Sequence, residues 1–137
     1  MTRRRETRPL TLADARHYLA QANEFLAAAQ SKLDAERFNA AAGAAVVAVV
    51  NAADAVSGFR LGERWIGSHE LAGGHVARAG AEGKQLERAL QRAVPVKNRA
   101  QYDPAPVSAG QARNLVEVAR RAVAAANKVA AGVASRQ

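Results

Sequence analysis

Ala40-Ala41-Ala42-Gly43-Ala44-Ala45-Val46-Val47-Ala48-Val49-Val50 is the longest apolar run in this chain, and it continues through Asn51-Ala52-Ala53-Asp54-Ala55 to Phe59. The run falls short of the roughly 20 apolar residues that a bilayer-spanning helix requires, and Asn51 and Asp54 interrupt its continuation. Apolar positions wrap most of the circumference around Val46 to Val50, which marks a central, buried helix of a soluble protein. The spacing predicts that helix from about Asp34 or Glu36 to about Phe59. Alanine and Gly43 keep its surface thin, so that neighbouring helices or a second subunit can come close.

Amphipathic stripes flank this segment on both sides. Leu12, Ala15, Tyr18, Leu19, Ala22, Phe25, Leu26, Ala29 and Leu33 form one face of a first helix. Thr11, with Asp14 three residues on, is placed to cap it. Residues 61–84 hold six glycines and read as an irregular, mobile segment with a short helical piece around Ser68 to Ala79. A third long helix is expected over about Gln85 to Gln101, bent or interrupted at Pro95. Pro104 and Pro106 enforce an extended connection, and Ser108 with Gln111 repeats the capping pattern before a last helix striped by Ala112, Leu115, Val116, Ala119 and Val123. No segment carries a strand or hairpin signal. These features predict an all-α protein, an antiparallel four- to five-helix bundle forming one domain over residues 11–135, preceded by a disordered basic arm over residues 1–10.

Charge and composition narrow the functional classes. The net charge is +8, and basic chains attract phosphate-rich partners. Residues 1–9 hold four arginines against one glutamate, so +3 of that charge lies on the arm. Cysteine is absent, which excludes disulfides and thiolate zinc sites. No apolar core follows the arginines of the N-terminus, so a secretory signal is not expected and a cytoplasmic location is. His17, His69 and His75 lack zinc-ligand spacing, and no glycine-rich phosphate loop follows a strand, so neither a metal nor a cofactor is expected.

Lys97-Asn98-Arg99-Ala100-Gln101-Tyr102-Asp103 carries the functional hint. Together with two long preceding helices, Asn51 to Ala55, the loop bearing Ser68-His69 and a final helix opening at Val107-Ser108, it resembles the HEPN superfamily. The likeness runs from about Ala13 to about Ala131. It implies a small helical bundle working as a dimer. RNA-cleaving members of that superfamily place a histidine four to six residues after an arginine, often with asparagine directly after the arginine. A guanidinium can hold a phosphate while an imidazole moves a proton near neutral pH. Here Lys97-Asn98 takes the place of the arginine and asparagine, and Tyr102 that of the histidine. Lysine keeps the charge without the bidentate fork, and a phenol of pKa about 10 is a poor proton shuttle. The resemblance therefore implies fold and dimerisation together with a degenerate, non-catalytic site in which Lys97, Asn98, Arg99 and Tyr102 grip RNA or a nucleotide. The same residues also suit a helix end, with Lys97 and Arg99 on its terminal carbonyls and Tyr102 packed beneath.

A secondary set comprises Asp54, Arg60, Arg64 and His69. Arg64 lies five residues before His69, and a buried Asp54 requires a partner, which Arg60, Arg99 or a tyrosine could supply. The expected function is a bacterial HEPN-like dimer that binds RNA, a nucleotide or a cognate protein in a toxin–antitoxin or phage-defence setting, with no membrane attachment. An altered metal-independent endoribonuclease and a protein-interaction module that ignores nucleic acid are the alternatives.

Overall fold

The computed structural model describes residues 6–102 and 105–134, with side chains for all of these except residues 98–102. In chain order the elements are β1 (Thr7–Pro9), α1 (Leu12–Asp34), α2 (Phe38–Leu61), β2 (Glu63–Trp65), α3 (His69–Val76), a 3-10 turn (Ala77–Ala79), α4 (Ala81–Tyr102) and α5 (Ala109–Ala134). The expected all-α bundle is what forms, with a two-stranded sheet added at one edge.

Both sequence-predicted caps are present. The Thr11 hydroxyl accepts from the Asp14 amide at 3.0 Å while Asp14 Oδ2 accepts from the Thr11 amide at 3.0 Å. Ser108 and Gln111 make the same reciprocal pair at 3.1 and 2.9 Å. Each cap satisfies amides that the first helical turn leaves free, worth on the order of 1 kcal/mol.

α1 packs on α2 through a two-layer repeat. Ala15, Ala22 and Ala29 are fully buried, and Leu19, Leu26 and Leu33 pack half-buried between them, so the seam alternates steps of four and three residues. Phe25 falls off that seam and stays 37% exposed, although it belongs to the apolar face read from the sequence.

α2 is the central helix, contacted by α1, α4 and α5. By length and composition it could cross a membrane, yet 72% of its most apolar window is buried within the bundle. The surface that lipid would cover is already covered by protein. Because alanine contributes only about 0.8 kcal/mol per buried methyl, such a core gains its stability from many close contacts more than from large side chains. Leu86, Val49, Val56, Val76, Val123 and Val129 are the largest wholly buried groups.

Three sequence expectations are corrected. The segment expected to be irregular over residues 61–84 is built almost throughout: Gly62, at φ 68°, ends α2 in the left-handed conformation, and β2, α3, the 3-10 turn and the first turn of α4 follow. The arm expected to be disordered up to residue 10 is ordered from Thr7, where β1 pairs antiparallel with β2 in the register Thr7 with Trp65, Arg8 with Arg64 and Pro9 with Glu63. Residues 1–5 lie outside the described residues. Finally, Pro95 neither ends nor interrupts α4, which continues to Tyr102. Proline removes one hydrogen bond to the residue four back. Pro95 is on the exposed side of α4, where water can reach the carbonyl of Gln91 instead.

Candidate functional site

α3 lies across α4, and this crossing places two sequence-predicted residues together. Lys97, half-buried on α4, brings Nζ to 3.5 Å from Nδ1 of His69, the exposed first residue of α3. An ammonium only donates, so a hydrogen bond between the two would have Nδ1 as its acceptor. The separation is at the outer limit of a hydrogen bond, so it marks proximity more than a strong bond. Beside the pair opens a cavity of about 390 Å³ between α3 and α4, bordered by His69, Gly73, Glu87, Leu90 and Pro95. The side chains of Asn98, Arg99 and Tyr102 lie outside the described residues, although their backbone forms the last turn of α4.

The secondary set separates into different arrangements. Asp54 is paired with Arg64, Oδ2 to Nη1 at 3.6 Å, and not with Arg60. Burial pushes the Asp54 carboxyl up to about 6, against the pull of the Arg64 charge and hydrogen bond. The guanidinium of Arg64 also lies 5.4 Å from the centroid of the Tyr18 ring, a cation–π distance. Its Nε is buried with no hydrogen-bond partner among the described residues. Arg60 points elsewhere: Nη1 donates to the Ala79 carbonyl and Nη2 to Glu82 Oε1, both at 2.8 Å, which ties the end of α2 to the 3-10 turn and the first turn of α4. His69 is therefore teamed with Lys97, where sequence spacing had joined it to Arg64. Asn51 satisfies itself by donating to the Val47 carbonyl at 2.9 Å, the structural role its place in an apolar helix suggests.

One polar cluster escaped the sequence reasoning. His75 is only 6% exposed, its Nε2 is 3.1 Å from Glu63 Oε2, and its ring centre is 6.0 Å from that of Trp65. Hydrogen bonds from His75, and secondarily from Thr7, hold the Glu63 carboxyl below its usual range. Trp65 Nε1 donates to the Ser68 carbonyl at 2.8 Å, so the tryptophan anchors the turn into α3. The cluster fixes α3 to β2 and thereby sets where His69 emerges. No sequence signal could have paired His75 with Glu63, because the contact depends on β2 being held by β1.

Among the described residues, no three His, Asp or Glu side chains gather as metal ligands. No family model, curated protein or solved structure matches this chain.

Proposed function

We propose that this protein is a HEPN-like helical-bundle dimer of the cytoplasm that binds phosphates of RNA or a nucleotide at the end of α4 without cutting the chain. The observation that carries the proposal is the approach of Lys97 to His69, a residue that borders a cavity. A lysine ammonium is a compact charge suited to phosphate, and an imidazole N–H supplies a second donor. The dimer is supported by α2, where a Cβ built on Gly43 meets nothing within 4 Å and Val47 is 37% exposed, on a helix most of whose remaining apolar residues are buried.

Lys97→Gln is expected to weaken binding of a labelled single-stranded oligoribonucleotide about fivefold at low salt. It should also make the salt dependence shallower by about 0.7 in the log–log slope, the value for one lost phosphate contact. Fluorescence anisotropy across a salt series measures both, and unchanged affinity in the variant would remove Lys97 from the site.

The same contact favours one second possibility, a metal-independent ribonuclease in which His69 replaces the histidine missing at Tyr102. The imidazole would take the proton of a ribose 2′-hydroxyl as its oxygen bonds to the adjacent phosphorus. The bond from phosphorus to the 5′-oxygen would break, and water would protonate the departing oxygen. RNA cleavage in chelator that disappears in His69→Ala would establish this activity; intact RNA after prolonged incubation would dismiss it.

A further inference from the structure

On another face of α4, away from the cavity beside His69, Arg88 and Arg92 look across a groove of about 290 Å³ towards Asn114, Glu117 and Arg121 of α5. Its floor is formed by the buried Ala89 and Ala122, whose small side chains leave the recess open. Arg88 and Arg92 are one helical turn apart on the same face, about 6 Å along the axis, which is comparable with the step between phosphates on an extended strand.

The electrostatics of this groove are unbalanced in a specific way. Neither Arg88 nor Arg92 has an ion-pair partner among the described residues. The acids of α4 are engaged elsewhere: Glu82 holds Arg60 at 2.8 Å, and Glu87 lies against Gly73, at the cavity on the α3 side. The one carboxylate in the groove, Glu117, accepts from Arg120 at 2.6 and 2.9 Å and from Arg121 at 3.1 Å. Those bonds, above all the ones from Arg120, push its carboxyl down to about 2, so it remains an anion already matched by two arginines. A surplus of guanidinium charge therefore faces an open recess. No aromatic side chain lines it, so it offers nothing on which a base could stack.

We infer that the α4–α5 groove is a second anion site, separate from the Lys97–His69 site, which holds the phosphodiester backbone of single-stranded nucleic acid without regard to sequence. Guanidinium forks match phosphate oxygens bidentately, and Gln85 and Asn114 add neutral hydrogen-bonding groups at the edges. A concave recess between two helices receives one backbone, whereas duplex grooves are entered by a protruding helix or ribbon.

The test uses the full chain and a short labelled oligouridylate across a salt series. Arg88→Gln with Arg92→Gln is expected to lower affinity about tenfold and to make the salt slope shallower by about 1.4, two phosphate contacts at about 0.7 each. Lys84→Gln removes a charge one turn before Arg88 that does not line the groove and is expected to change affinity less than about twofold. A double variant that binds like the wild type overturns the groove, and if Lys97→Gln still weakens binding the Lys97 site stands alone. A double variant that loses affinity while Lys97→Gln does not upholds the groove and overturns the Lys97 site. Absence of wild-type binding overturns both, and oligoglutamate displacing the RNA at equal concentration overturns the groove in favour of an acidic protein partner.

Discussion

Gly83→Ala is expected to lower the melting temperature by about 10 °C, although glycine-to-alanine changes inside helices normally stabilise by up to about 1 kcal/mol. The reversal comes from where the methyl would go. A Cβ at Gly83 falls well inside van der Waals contact of the Val76 carbonyl oxygen, 3.2 Å from its carbon and 3.0 Å from Ala79 Cβ. Two of these are backbone atoms of the short helix and turn that carry His69, so no side-chain rotation relieves them. Overpacking of this kind typically costs about 1–3 kcal/mol and sometimes more, so the clash outweighs the propensity gain. Gly110→Ala is the internal control: it sits in the first turn of α5, meets nothing within 4 Å, and is expected to raise the melting temperature slightly. Thermal melts followed by circular dichroism decide both, and a Gly83→Ala protein as stable as the wild type would show that α3 can slide on α4 at little cost.

The next largest effect concerns Asp54 and pH. Its folded-state carboxyl titrates at about 6, above the usual 3.8, because burial penalises the charge by more than Arg64 compensates. The folded protein therefore binds this proton more tightly than the unfolded chain does. The group favours folding below about pH 4, and that advantage is lost as pH rises through 6. The difference amounts to about 3 kcal/mol at pH 7, at 1.36 kcal/mol per unit. Asp54→Asn keeps the neutral shape, so at pH 7 it is expected to exceed the wild type by about 2–3 kcal/mol, with the gap closing below pH 4. Asp14, Glu63, Glu82 and Glu117 are shifted downwards and pull the opposite way, losing their contribution as pH falls. The informative quantity is thus the difference between variant and wild type in urea titrations at several pH values. A gap that does not vary with pH would mean that Asp54 is ionised at ordinary cost.

What the sequence made legible follows from how local each cause is. The starts of α1 and α5 were readable because Thr11 with Asp14 and Ser108 with Gln111 act within one turn. α2 was readable because its apolar surface encircles it. α4 begins at Ala81, earlier than the glycine count suggests, since Gly83 is there for its approach to Val76 and not to break the helix. Pro95 misled because its lost hydrogen bond falls on an exposed side. Three-residue strands have no period to detect, and β1 exists only because β2 lies beside it. In the candidate site, Lys97 stood out through its motif, but its meeting with His69 requires α3 to cross α4. Arg64 as the partner of Asp54 likewise requires the chain to turn at Gly62. The arginine groove was invisible for the same reason, since Arg88 and Arg121 share no segment.

The pairing of β1 with β2 also closes a long loop of the chain. Pro9 and Glu63 are the ends of a ring that contains all of α1 and α2, fastened by three strand pairs and by the Leu10 and Ile66 amides, which donate to the Gly62 and Glu6 carbonyls at 2.9 and 2.8 Å. Closing a ring of that length costs entropy that so short a seam cannot recover by itself. A helical hairpin that is already packed holds the two ends near each other and so removes most of that cost. Trp65 and Glu63 inherit their places from that seam, and through His75 it gives α3 an anchor beside its main support on α4, so opening the seam loosens His69 without detaching the helix that carries it.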